Sequence, residues 1–122
     1  MNVSEIMSSD LCTVEVEATV ADAATLMGEN AVGSVMILDG ERLAGILTER
    51  DIVRALSSDY EAPTRPVGEW MTRDPVTIAP DADARTALKV MLDGGFRHLP
   101  VVDGTKPVGM ISIRDIAGHM AS

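Results

Sequence analysis

Two short stretches of the sequence place a hydroxyl and a carboxylate three residues apart at the expected start of a helix. Thr48 and Asp51 lie within GILTERDIVR, and Ser112 and Asp115 lie within GMISIRDIAG. This spacing is typical of a capping box, in which both side chains bond backbone groups of the first helical turn. The same groups could bind a nucleotide, because a helix start attracts a phosphate and a carboxylate accepts both hydroxyls of a ribose. The spacing alone leaves both alternatives open.

A glycine also lies three residues before each hydroxyl, at Gly45 and Gly109. A capping box does not require a glycine at this position. A turn could require it, and so could close packing of another segment against the strand, since glycine has no Cβ.

Both motifs belong to an internal repeat with a constant offset of 64 residues and no gap. Identical pairs include Val3 and Val67, Glu5 and Glu69, Met7 and Met71, Met27 and Met91, Gly45 and Gly109, and Asp51 and Asp115. A repeat of this length indicates two copies of one supersecondary unit. We predict a first unit over residues 1–56, an exposed polar connector over 57–66, and a second unit over 67–122.

Each copy shows the same order of hydrophobic patterns. VSEIM and VGEWM are typical of single helical turns, and CTVEV and VTIAP of brief strands. Apolar residues at helical spacing follow, and this pattern ends at Asn30 in the first copy and at Gly94 in the second. Two apolar runs divided by Asp-Gly then indicate a β-hairpin, and a second helix starts at Thr48 or Ser112. The order β-α-β-β-α, twice, predicts an α/β (α+β) fold with two units packed in pseudo-twofold symmetry, because one unit alone leaves a sheet face uncovered.

Composition and charge exclude several classes of protein. The chain has 122 residues, a formal charge of −9 and one cysteine, Cys12. The acidic balance argues against nucleic-acid binding, and no apolar run approaches the roughly 20 residues that cross a bilayer. We therefore expect a soluble, cytoplasmic protein with no disulfide and no metal site. Residues 1–61 hold twelve acids and three bases, so an anion is expected to prefer cations of the second half.

Catalysis is not expected. The sequence offers no Ser/His/Asp set, no second cysteine, no histidine pair at ligand spacing and no glycine-rich phosphate loop. We predict no catalytic residue and no enzymatic activity.

The combination of motifs resembles the CBS domain, whose tandem pair is called a Bateman module. The resemblance rests on VSEIM, CTVEV and SVMILDGERLAGILTERDI in the first copy, and on VGEWMTRDPVTIAP and FRHLPVVDGTKPVGMISIRDI in the second. It implies a regulatory module without an obligatory cofactor that binds an adenosine-containing ligand such as AMP, ATP, S-adenosylmethionine or NAD. It also implies clefts between the copies as binding sites, and further pairing into a disk-like homodimer.

The resemblance implies roles for particular residues in two clefts. In the first, Asp51 would bind the ribose and Thr48 the phosphate, Ile46 and Val76 would flank the adenine, and Arg97 and His98 would reach the phosphates. In the second, Asp115, Ser112 and Met110 would face Cys12, Gly33 and Ser34. The first cleft is expected to be the stronger nucleotide site, because only it receives an arginine and a histidine.

Two functions from different classes follow. The first is a ligand sensor that signals binding of an adenylate to a separate effector protein. The alternative is a structural, dimeric adaptor of the same fold that binds no nucleotide and acts only through protein contacts.

Overall fold

The computed structural model describes residues 1–121. Within these residues the helices are α1 (Val3–Ile6), α2 (Val20–Asn30), α3 (Glu49–Ser58), α4 (Ala84–Gly94) and α5 (Ile113–Ala121). The strands are β1 (Thr13–Glu15), β2 (Ser34–Asp39), β3 (Arg42–Thr48), β4 (Thr72–Arg73), β5 (His98–Asp103) and β6 (Lys106–Ser112). The mixed α/β class is the predicted one. No helix in this part of the chain is both long and apolar enough to cross a membrane.

The chain divides into two compact units that exchange their first segments. Unit 1 combines Met1–Leu11 with the chain from Val76 onward, and unit 2 is Cys12–Pro75. The opening residues of each sequence repeat therefore belong to the unit formed mainly by the other repeat. The repeat boundaries at 1–56, 57–66 and 67–122 stay a prediction about the repeat, and they differ from the limits of the compact units.

Unit 2 is built on a four-stranded sheet with the order β1-β2-β3-β4. β1 is parallel to β2, whereas β2, β3 and β4 are antiparallel neighbours. The predicted hairpin turn lies at Asp39 and Gly40, and Gly40 has the positive φ of 67° that such a turn favours. One face of the sheet packs with α2 around a core that includes Val20, Ala23, Met27, Val35, Ile37, Leu47 and Val67.

Unit 1 has the equivalent hairpin of β5 and β6, but its first strand is reduced. The strand predicted over VTIAP is one parallel bridge between Ile78 and Val101. In unit 2, the N–H of Met36 donates to the carbonyl of Cys12 at 2.9 Å. Pro100 occupies the equivalent position 64 residues later and has no N–H to donate, so the ladder is shorter.

Most of the connector is exposed, as the sequence predicts, but Ala62 within it is buried. α3 continues to Ser58, and a 3₁₀ turn at Ala62–Thr64 buries Ala62 completely. The Asp59 carboxylate accepts the N–H of Glu61 at 2.8 Å and Nε of Arg65 at 3.2 Å. The bond from Glu61 and the nearby Arg65 lower the pKa of Asp59 against the opposing effect of desolvation. These contacts hold the segment as an ordered turn of unit 2.

Candidate functional site

The start of α3 has the predicted capping box. The backbone N–H of Thr48 donates to Oδ2 of Asp51 at 2.9 Å, and the N–H of Asp51 donates to Oγ1 of Thr48 at 3.2 Å. These two bonds satisfy backbone donors that the first turn of a helix otherwise leaves open. The structural alternative for this motif is therefore confirmed for Thr48 and Asp51.

Asp51 makes further contacts that its spacing from Thr48 does not predict. Its side chain is only 3% exposed, and Oδ2 also receives the Thr48 hydroxyl at 3.1 Å. The Thr72 hydroxyl lies 3.4 Å from both carboxylate oxygens, and Nη1 of Arg54 lies 3.7 Å from Oδ1. Donors therefore surround both oxygens, as a buried carboxylate requires.

The start of α5 repeats the capping bonds without these additions. The N–H of Ser112 donates to Oδ2 of Asp115 at 2.9 Å, and the N–H of Asp115 donates to Oγ of Ser112 at 3.0 Å. Asp115 is half-buried. Among residues 1–121, Ser112 is the only hydrogen-bond donor to its carboxylate, so Oδ1 is open to a further donor.

The predicted site residues Cys12, Ser34, Ile46, Thr48 and Asp51 all belong to unit 2. Ser34 lies opposite Thr48 in the ladder of β2 and β3, and Ile46 lies opposite Met36. Cys12 precedes β1, and its carbonyl accepts the N–H of Met36. The N–H of Glu49 donates to the carbonyl of Gly33 at 3.2 Å, which brings the entrance of β2 beside the start of α3.

The remaining predicted residues, Val76, Arg97, His98, Met110, Ser112 and Asp115, belong to unit 1. His98 lies opposite Ser112 in the ladder of β5 and β6. The N–H of Ile113 donates to the carbonyl of Arg97 at 3.1 Å, so Arg97 lies beside the start of α5. Met110 lies opposite Pro100, and Val76 is 53% exposed.

Each predicted cleft combines residues from both units. Within a unit, however, the structure brings Ser34 next to Thr48 and His98 next to Ser112. The grouping of Arg97 and His98 with Asp51 stays a prediction from the resemblance.

The glycine of each motif is explained by close packing. A Cβ at Gly45 would lie 2.6 Å from the carbonyl oxygen of Thr72 and 2.7 Å from Sδ of Met71. At Gly109 it would lie 2.8 Å from the carbonyl oxygen of Ser8 and 2.4 Å from Sδ of Met7. Each glycine therefore admits the leading segment of the other repeat against the strand that carries the motif.

Sequence reasoning missed Thr72 and Arg54 as partners of Asp51. The repeat contained a signal that the two copies differ here, because Ser8 corresponds to Thr72 and Gly118 corresponds to Arg54 at the offset of 64 residues. The second copy therefore has no arginine at the position of Arg54, and its shorter hydroxyl residue, Ser8, makes no hydrogen bond to Asp115 among the described residues.

The charge is unequal between the units. Unit 2 holds twelve acidic and five basic side chains, a formal charge of −7, and unit 1 holds seven acidic and five basic ones, a charge of −2. An anionic ligand is therefore repelled less by unit 1. Among the described residues, no group of three or more His, Cys, Asp or Glu side chains is arranged to hold a metal ion.

Comparison with known proteins gives the same family for both halves of the chain. The family model described as the CBS domain matches residues 3–58 and 67–122. A 17.7 kDa protein of Acidianus ambivalens is 41% identical over 118 residues, which cover 94% of this chain and 70% of that protein. The CBS domain-containing protein YhcV of Bacillus subtilis is 30% identical over 99% of this chain and 86% of its own.

A solved structure extends the comparison to the fold. The CBS domain pair of protein MJ0100, in complex with 5′-methylthioadenosine and S-adenosyl-L-methionine, has a TM-score of 0.91 and 25% identity. The match covers 99% of this chain and 96% of that one. The predicted fold class is therefore confirmed.

Proposed function

The chain belongs to the CBS domain family, and from this membership we propose that it is a regulatory module that binds an adenosine-containing ligand and signals to a partner protein. The observation that carries the proposal is the hydroxyl and carboxylate pair at the start of α5, where one carboxylate oxygen has no hydrogen-bond donor among residues 1–121. The adenosyl complexes of the MJ0100 domain pair support this class of ligand. The match to the CBS domain indicates no enzymatic family, and we propose no catalytic role for this chain.

We propose roles for the residues around this helix start. Asp115 accepts the ribose hydroxyls, and the Ser112 hydroxyl with the first N–H groups of α5 binds a polar or anionic group. Arg97 and His98 contact the anionic end of the ligand, a role supported by the pairing of His98 with Ser112 and by the bond between Ile113 and Arg97. The family resemblance instead predicts Arg97 and His98 at the Asp51 cleft, and that grouping stays the alternative to this assignment.

Apolar surface for the adenine is available on the same unit. Val76 is 53% exposed, and Met110 is half-buried. A thioether and a branched apolar side chain suit a flat aromatic base, which gains dispersion and burial but needs no charge. AMP, ATP, S-adenosylmethionine and NAD share this base and ribose, so each is a candidate ligand.

Thermal unfolding of the whole protein tests the proposal. We expect at least one of AMP, ATP, S-adenosylmethionine, 5′-methylthioadenosine and NAD to raise the midpoint, because a ligand present at 100 times its Kd stabilises the native state by about 2.7 kcal/mol. GMP is the control for recognition of the adenine base. Asp115→Asn is the control for binding at the start of α5. If none of the five raises the midpoint, the protein is an adaptor that acts through protein contacts alone.

We also propose that the protein is a homodimer. Val53 and Leu56 on α3 are 64% and 47% exposed, and Met120 on α5 is 73% exposed. Large apolar side chains on helix faces commonly mark a surface that another protein covers. The proposal extends to a separate effector protein and to a cytoplasmic location, both of which stay predictions from the sequence.

Light scattering at micromolar concentration is expected to give twice the chain mass of 12.9 kDa. Val53→Glu should convert the dimer to a monomer, because a charge would be buried in the interface without a partner. Leu92→Glu is the matched control, since Leu92 is equally exposed at 64% but lies on α4. A wild-type mass of one chain contradicts the proposal.

A further inference from the structure

We propose that the two helix starts have different roles: Asp51 is a structural carboxylate that the fold itself uses, and the chain takes one adenosyl ligand, at Asp115. This inference rests on the proposed function and deepens it. The first basis is the number of donors around each carboxylate, and the second is the charge of each unit.

Groups of its own unit surround the Asp51 carboxylate on both oxygens. Oδ2 receives the backbone N–H and the hydroxyl of Thr48 and lies 3.4 Å from the Thr72 hydroxyl. Oδ1 lies 3.4 Å from the same Thr72 hydroxyl and 3.7 Å from Nη1 of Arg54. A ribose diol donates two hydrogen bonds to a carboxylate, and at Asp51 it would have to displace Thr72 and Arg54 from a side chain that is 97% buried.

The Asp115 carboxylate has the opposite character. Within residues 1–121 only Oδ2 accepts a hydrogen bond, from the N–H of Ser112, and the residue is half-buried. Gly118 replaces the arginine one turn later in the helix, and Ser8 replaces the threonine of the leading segment. A diol can therefore approach Asp115 without breaking a bond that the described residues make to Oδ1.

The formal charge of each unit also favours binding of an anionic ligand at Asp115 over Asp51. The twelve acids of unit 2 leave it at −7, whereas unit 1 is at −2 and has Arg97 and His98 at the entrance of β5. The equivalent positions of unit 2 are Gly33 and Ser34, which bring no cation. An adenylate with a phosphate is therefore repelled at one helix start and attracted by the Arg97 cation at the other.

Titration calorimetry on the full chain, with AMP and in parallel with S-adenosylmethionine, tests the inference. We expect one ligand per chain. Asp115→Asn should weaken binding about 10- to 100-fold, since a charge-assisted bond is lost. Asp51→Asn should leave the affinity within about threefold and lower the unfolding midpoint by at least about 4 °C, because an amide presents N–H groups to Arg54 and Thr72.

Thr72→Val gives a milder test in case Asp51→Asn does not fold. It should lower the midpoint and keep the affinity, whereas Ser8→Ala, its counterpart 64 residues earlier, should change neither. Two ligands per chain, or loss of binding in Asp51→Asn or Thr72→Val with an unchanged midpoint, would overturn the inference and leave the proposed function intact. If the wild type binds no probe, the proposed function fails. The structural role of Asp51 is then judged by the midpoints alone, and an unchanged midpoint in Asp51→Asn refutes it.

Discussion

Gly45→Ala is expected to lower the free energy of unfolding by about 1–3 kcal/mol, because its Cβ would overlap backbone. The added atom would lie 2.6 Å from the carbonyl oxygen of Thr72, and this oxygen cannot move without shifting β4. At roughly 4 °C per kcal/mol, the midpoint of thermal unfolding should fall by about 4–12 °C. Gly109→Ala should have a similar effect through Ser8 and Met7.

Two other glycines are matched controls for these variants. Gly28 in α2 and Gly118 in α5 have no heavy atom within 4 Å of a Cβ added to them, and both lie in helices. Alanine at either position should stabilise the protein by about 0.5–1 kcal/mol, since glycine costs backbone entropy in a helix. If Gly45→Ala and Gly28→Ala behave alike, the close approach of β4 to β3 is not a feature of the protein.

A fragment of residues 12–75 is expected to be far more stable than a fragment of residues 1–66, although their lengths are nearly equal. The shorter fragment contains all of unit 2. The longer one lacks Val67, which is fully buried in the core of unit 2, and it lacks β4. A chain of about 60 residues is marginally stable, so these losses should prevent cooperative folding.

Circular dichroism during urea denaturation measures this difference. Residues 12–75 should show a cooperative transition, and the fluorescence of the single tryptophan, Trp70, should change with it, because Trp70 packs against the core of unit 2. Residues 1–66 should show no such transition by circular dichroism. A transition at equal or higher urea in residues 1–66 would contradict the exchange of leading segments.

Much of the fold was predictable because local patterns determine it. The 64-residue repeat gave the order of elements, and helix stops at Asn30 and Gly94 and the Asp-Gly turns gave their limits. The reduced strand at Ile78 was not predicted, although Pro100 is visible in the sequence. A proline shortens a strand ladder only where the neighbouring strand needs its N–H as a donor. Which strand is the neighbour depends on the tertiary fold.

The exchange of leading segments could not be predicted from the repeat. The identity of Val3 and Val67 indicates that the two residues have equivalent environments. It does not indicate which compact unit each of them belongs to. The glycines at 45 and 109 indicated that another segment packs closely against the strand, but not which segment it is. The structure identifies it as Met71 and Thr72 in one unit and as Met7 and Ser8 in the other.

The candidate site was predictable in its motif and not in its asymmetry. Spacing identified the capping pairs, because neighbours on one helical turn are fixed by local geometry. The burial of Asp51 and its contact with Thr72 depend on residues 21 positions apart in the sequence. The two motifs therefore look equivalent by spacing, and the difference between the partners of the two carboxylates depends on tertiary contacts.

The central claim is that the open carboxylate of Asp115 recognises a ribose diol, and calorimetric titration with AMP and 2′-deoxy-AMP tests it most directly. The wild type should bind AMP at least about 10-fold more tightly, because the deoxy analogue loses a charge-assisted hydrogen bond. In Asp115→Asn this preference should disappear, whereas in Thr72→Val it should persist. Equal affinity of the wild type for the two nucleotides, or a preference that survives in Asp115→Asn, would contradict the claim.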